Sequence, residues 1–236
     1  MNLALLGDDA ESSILARAAE AAGHAIVWRE AAAPDEWETL LDASTADAIL
    51  VGPADGAAAD LRARQMVELA RQGRPLLAVH PVVPSVLSYF EIDLARGDGG
   101  APLQHYNPTA ELAGADELQR WIREGHPTAG PVEQVVATRR LAQRARGEVL
   151  RWFARDVELL ARLVGRCSRI GAHASGAEGD TAYASLSVQL SGPSRLPARW
   201  SVEPPAGPHL LEIALICERG RVTLANAADG TSHWIE

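Results

Sequence analysis

The chain of 236 residues contains no lysine: all 22 of its basic residues are arginine. Any chemistry that needs a lysine ammonium, from a lysine Schiff base to a lysine proton carrier, is therefore excluded. It has only two cysteines, Cys167 and Cys217, far apart and without C-x-x-C spacing, so neither a disulfide framework nor a cysteine metal site is expected, and no metal. Aromatics make up 5% of residues. No apolar stretch approaches the ~18 residues of a membrane span, and no basic region followed by an apolar run opens the chain. We expect a soluble, cytoplasmic protein. The net charge of -9 disfavours electrostatic capture by nucleic acid or an anionic membrane.

What is present divides in two. Residues 1–118 carry 7 arginines against 19 acids, and residues 119–236 carry 15 arginines against 12. With 47% apolar residues the length supports two modest cores, and the charge asymmetry suggests two domains.

The first thirty residues organise the reading. An apolar run ends at Gly7, a helical run has apolar residues at Ile14, Leu15, Ala18, Ala19 and Ala22, and a second apolar run spans His24 to Glu30. Strand, helix, strand is a βαβ opening. A loop rich in Ala, Pro and Asp leads to a short helix through Trp37, Leu40 and Leu41, then to the apolar run Ala48 to Gly52. Leu61 to Arg71 predicts a helix stopped by Gly73, and Arg74 to Val79 a buried strand. Continuous apolar strands alternating with helices predict a doubly wound parallel sheet covered on both faces.

His80-Pro81 follows the last of these strands directly, at the carboxyl end where open parallel sheets bind ligands. Pro102 to Asn107 predicts a further strand and Glu111 to Arg123 a helix. After a loop from Gly125 to Pro131 come a strand over 132–138 and the clearest helix of the second half, Gly147 to Gly165. Its Val149, Trp152, Phe153, Leu159, Leu160, Leu163 and Val164 share a broad apolar face. Arg151, Arg155, Glu158, Arg162 and Arg166 fall within a stripe of ~80°, and Asp156 sits towards the apolar side. Strands over 168–174, 182–190, 198–202, 210–217 and 222–224 with Gly/Pro turns predict a largely antiparallel sheet.

In their order along the chain, the βαβ opening, Gly73-Arg-Pro-Leu-Leu-Ala-Val-His80-Pro81, Arg155-Asp-Val-Glu-Leu-Leu-Ala-Arg-Leu-Val-Gly165 and the strands around Trp200 and from Glu212 to Leu224 resemble the Gfo/Idh/MocA family of NAD(P)-dependent sugar and polyol oxidoreductases. The resemblance implies an α/β protein. A Rossmann domain with a doubly wound parallel sheet (residues 1–108) is followed by a shortened α+β domain (109–236) with a largely antiparallel, open sheet. Family members usually continue beyond this length, which leads us to expect a homo-oligomer that covers the open face of the C-terminal sheet.

The family's site residues are largely replaced. Its Glu-Lys-Pro strand end corresponds to Val79, His80 and Pro81, and its helix aspartate and catalytic histidine, four residues apart, to Arg151 and Arg155. Hydride transfer from an alcohol needs a base, and arginine cannot serve. We therefore expect a catalytically inactive or strongly diverged member; alternatively, an active NAD(P)-dependent oxidoreductase would use His80 as a relocated acid/base.

Aligned on Gly7, the second and third glycines of G-x-G-x-x-G are Asp9 and Ser12. The cofactor, NAD or NADP, would contact Gly7, Asp9 and Ser12, with Glu30 as ribose acceptor and Arg29 leaving NADP open. Equally, Asp8 and Asp9 could simply satisfy the helix N-terminal amides. By the resemblance, Arg151 and Arg155 would face the crevice below His80, and Tyr106 and Asn107, with His105, would lie near it. Together they would suit a small anionic ligand held by guanidinium groups, or else the arginine row would form an interdomain salt-bridge surface.

Overall fold

The computed structural model describes residues 1–30, 37–42, 45–54, 58–83, 85–97, 100, 102–175, 182–193, 196–227 and 230–235. The loop expected after Glu30 lies outside them. Two compact units, Met1–Asn107 and Pro108–Glu236, make up the chain.

The first unit runs β1 (Asn2–Leu6), α1 (Ala10–Ala21), β2 (Ala25–Arg29), α2 (Glu38–Asp42), β3 (Ala48–Val51), α3 (Ala58–Arg71), β4 (Leu76–Val79), α4 (Val86–Arg96) and β5 (Leu103–Tyr106). Its five strands are all parallel, in the order β2-β1-β3-β4-β5. Side chains alternate across each strand, so the apolar runs bury both faces. Leu3, Leu5 and Leu50 pack with Ala16 of α1. On the opposite face Ala4, Leu6, Ile49 and Val51 pack with Met66 and Leu69 of α3 and Ile92 of α4. The strand order reverses between β1 and β3, which makes their carboxyl ends the switch point of the sheet.

The second unit runs α5 (Ala115–Glu124), β6 (Val132–Arg140), α6 (Arg146–Val164), β7 (Arg169–Ser175), β8 (Ser185–Ser191), β9 (Ala198–Glu203), β10 (His209–Cys217), β11 (Gly220–Ala227) and β12 (Ser232–Ile235). Seven strands pair in the order β12-β11-β10-β6-β9-β8-β7. Only β6 and β9 are parallel; the other pairs are antiparallel. Leu118 and Trp121 of α5 and Leu159, Leu160 and Leu163 of α6 pack on Val188, Trp200, Ile213 and Leu215. The other face of the sheet is mostly polar: Ser187, Gln189, Arg199, Ser201 and Glu203 alternate with the buried residues, and Arg140 there pairs with Glu203 at 3.2 Å and Glu212 at 3.4 Å.

Several local expectations change. Helix α5 begins at Ala115 rather than Glu111, because Gly114 takes a left-handed conformation (φ 93°) and interrupts the run. Helix α4 and strand β12 have no counterpart in the sequence reading. Strand β7 is exposed along its whole length, without alternation.

Candidate ligand site at the sheet switch point

The N-terminus of α1 lies at the carboxyl end of β1, where a parallel sheet offers free amides and a positive helix end to an anion. Here a side chain of the same turn fills that role. Asp9 caps the helix: its Oδ1 accepts from the Glu11 amide at 2.7 Å and the Ser12 amide at 3.0 Å. Its Oδ2 accepts from Ser12 Oγ at 2.5 Å. Ser12 is completely buried.

Room for the serine hydroxyl comes from two glycines on neighbouring strands. Gly7, at φ 139°, follows β1, and Gly52 follows β3; a Cβ built on either would collide with Ser12 Oγ. Gly7 thus meets both a conformational and a steric demand, whereas Gly52 meets only the steric one. In the sequence Gly52 only closes an apolar run. A glycine directly after a buried parallel strand, facing the fingerprint turn, was the available signal.

Glu30 sits at the end of β2, its backbone amide donating to Leu5 O at 2.9 Å. Its carboxylate accepts from Arg62 Nη2 at 3.0 Å, both side chains largely buried. The other terminal nitrogen of Arg62 donates to Leu6 O at 2.6 Å, so this guanidinium from α3 straps the carboxyl ends of β1 and β2 together. Arg62 escaped the sequence reading because its helix is identified by apolar residues, among which a buried arginine leaves no periodic trace. Arg29 points away on the exposed side and pairs with Glu20 at 2.7 Å.

His80 lies at the carboxyl end of β4, joined to Pro81 by a cis peptide, and its amide donates to Tyr106 O at 2.8 Å. The His80 ring forms a triangle with Tyr89 of α4 (centroids 6.3 Å apart) and His105 of β5 (6.1 Å); Tyr89 and His105 are 5.5 Å apart. Tyr89 Oη accepts from the Val82 amide at 2.8 Å and fixes the turn after His80. Tyr106 is exposed and Asn107 buried. The structure thus gathers His80 with His105 and Tyr89, the last supplied by a helix the sequence reading left unassigned.

In the second unit α6 departs from the predicted arginine stripe. Arg155 is fully buried, its guanidinium 5.1 Å from the centroid of the Trp152 ring, so only part of the row faces solvent. Arg151 pairs with Glu148 at 3.0 Å on its own helix. Asp156, placed by the wheel towards the apolar side, is indeed inside: it accepts from Arg139 Nε at 2.9 Å, from Arg139 Nη2, and from Trp200 Nε1 at 2.8 Å. Arg139 also stacks 4.3 Å from the Trp152 ring centroid. This cation cluster is held by carboxylates and a tryptophan face rather than by solvent.

An open groove of about 870 Å³ lies elsewhere in the first unit, lined by Trp37, Ala63, Val67, Arg64, Glu68 and Glu91 among others, and includes none of the predicted site residues. Among the described residues no group of three or more His, Cys, Asp or Glu could hold a metal ion, and no helix is long and apolar enough to cross a membrane.

No protein-family model matches the chain, and neither does any curated protein. Solved structures do. The WlbA dehydrogenase from Bordetella pertussis, in complex with NADH and UDP-GlcNAcA, superposes with a TM-score of 0.74 at 17% identity, over 99% of this chain and 76% of that one. An oxidoreductase from Agrobacterium radiobacter, in complex with NAD+, L-tartaric acid and magnesium, gives 0.72 at 11% identity over 100% and 79%. The WlbA dehydrogenase from Chromobacterium violaceum, with NADH and UDP-GlcNAcA, gives 0.71 at 14% over 99% and 76%. The chain shares the fold of these solved oxidoreductase structures.

Proposed function

We propose that this chain is a strongly diverged relative of the NAD(P)-dependent sugar and polyol oxidoreductases that has no dehydrogenase activity and serves as a binding subunit for a small anionic ligand. One observation carries the first half of the reading: the Asp9 carboxylate takes the α1 N-terminal amides that a pyrophosphate would use. A pyrophosphate placed there would meet a carboxylate instead of free N–H groups, and like charges at that distance repel. Glu30, the candidate ribose acceptor, is engaged by Arg62. These groups do not fit a dinucleotide.

The replaced chemistry agrees. With no lysine in the chain and arginines at 151 and 155, no group on α6 at the family's catalytic positions can accept a hydroxyl proton at neutral pH. An anionic ligand suits the arginine-rich α6, on which Arg151 retains partial exposure, and the related structures include complexes with a UDP-sugar acid and with tartaric acid. On this reading the polar outer face of the C-terminal sheet and its exposed edge strand β7 serve oligomer contacts.

A second reading rests on the His80, Tyr89 and His105 cluster at a strand end, which offers an imidazole where the family has lysine. In that case the protein is an active oxidoreductase with His80 as acid/base.

Titration of the protein with NADH and NADPH, followed by energy transfer from tryptophan, separates the two. We expect no saturable transfer at millimolar nucleotide. The Asp9→Gly variant, which restores the second glycine and frees the amides, is expected to gain measurable binding. Tight binding by the unmodified chain, with turnover that disappears in His80→Ala, would sink the inactive reading.

A further inference from the structure

Helix α4 is amphipathic in the wrong sense for a helix of a closed monomer. Its Ile92 is 1% exposed and faces the core, but Val86, Leu87, Phe90 and Leu94 are 69%, 72%, 68% and 83% exposed. At 100° per residue these four share an arc of about 100° on the outer side. They present on the order of 500 Å² of apolar surface in one patch, at the upper end of what a monomer leaves uncovered.

We infer that this face is a two-fold contact between copies of the chain, with α4 packed antiparallel against α4 of a second copy. The occupant follows from the spacing. Val86, Phe90 and Leu94 lie four residues apart, so the row is symmetric about Phe90. A two-fold axis at Phe90 sets this ring beside its own copy and lays Val86 against the Leu94 position of the second chain at both ends. Such a row is an i±4 ridge, and two such ridges interdigitate at a crossing angle of about 50° in the commonest helix packing. The contact is isologous and closes on itself. Counting both copies, the patch alone removes about 1,000 Å² from water, the lower bound for a specific interface.

The rim supplies a signature. Asp93 and Glu91 flank the apolar arc, and Asp93 is paired with Arg96 at 3.1 Å on its own helix. In an antiparallel two-fold pair each flank meets its own copy, so the two Glu91 side chains come to the same side of the seam, about one residue rise from the axis each. The dimer therefore tightens as salt screens this repulsion. A basic partner segment on the same acidic-rimmed patch would do the opposite and weaken with salt.

This contact is independent of the ligand reading and of any contact through the C-terminal sheet. The test is sedimentation velocity on the full chain at about 1 to 100 μM, at low and high salt, for the wild type, Phe90→Glu and Glu91→Gln. We expect a monomer–dimer equilibrium that strengthens with salt and in Glu91→Gln, and weakens at least about 30-fold in Phe90→Glu, as for a central buried anchor. Phe90→Cys in a Cys167→Ser background should give a disulfide-linked dimer on mild oxidation, whereas Ile14→Cys, exposed on α1, should not. Circular dichroism checks that each variant is folded. A chain monomeric throughout the range, or a dimer untouched by Phe90→Glu and not cross-linked through position 90, overturns the inference; the latter result would leave a sheet contact standing.

Discussion

Gly52 is packed so closely against Ser12 that a single methyl group at position 52 would overlap the serine hydroxyl. The two residues come from opposite sides of the switch point, one after β3 and one in the first turn of α1. Their contact joins the start of α1 to the carboxyl end of β3.

The first prediction follows from that contact. Gly52→Ala should destabilise the protein by roughly 1–3 kcal/mol, the usual cost of forcing an extra carbon into a packed site. Because Gly52 does not have a positive φ, the cost is steric and its partner is known. In a Ser12→Ala background the worst overlap is gone and only the Asp9 carboxylate, 2.7 Å from the added carbon, still has to give, so the double variant should recover part of the loss. Urea denaturation of the four proteins gives the coupling, and strict additivity would refute the account.

How far the chain could be read in advance depended on periodicity. The strands β1, β3 and β4 are continuous apolar runs and α6 has a clear apolar face, and these elements stand close to their expected places. Helix α4 was not legible because its apolar residues fall on both faces, Ile92 inside and Phe90 outside, which blurs the helical period that one buried face would give. Strand β12 is short and half exposed, and offers no run to recognise. At the candidate site the capping of the α1 amides by Asp9 was legible from its place before the helix, whereas the partner of Glu30 was not. Hydrogen bonds from Arg62 to Leu6 and Glu30 join residues 32 to 56 positions apart, and no local pattern encodes such a strap.

A second prediction concerns the buried ion pair of the C-terminal unit. Asp156 is 1% exposed and carries the charge of Arg139, itself 3% exposed, while also accepting from Trp200. Asp156→Ala leaves a buried guanidinium and an indole N–H without their acceptor, and should cost about 3–5 kcal/mol. Asp156→Asn keeps the shape and one acceptor oxygen but loses the charge, so its cost should be smaller. Equilibrium denaturation measures both. If Asp156→Ala were as stable as the wild type, the pair would not be what holds α6 to β6 and β9.

The third prediction is a pH dependence carried by the thiols. Burial pushes the Cys167 thiol above its ordinary range, and burial together with the negative charge of Glu133 pushes Cys217 up as well. In the unfolded chain both ionise near the ordinary value of about 8.5. Above that pH the unfolded state has released protons that the native state still holds, so it binds fewer of them and stability falls as pH rises. The contribution is complete below the unfolded pKa and is lost on the way up through the folded one. Urea midpoints between pH 7 and pH 10, about two units around the ordinary thiol value, should decline with pH in the wild type. The decline should be shallower in Cys217→Ala, whatever that substitution does to stability at neutral pH. Alkylation gives an independent check: at pH 7 both thiols of the folded protein should react with iodoacetamide more slowly than a free cysteine, since the thiolate is the nucleophile. Equal slopes in wild type and variant, or fast alkylation of Cys217 in the native state, would contradict the assignment.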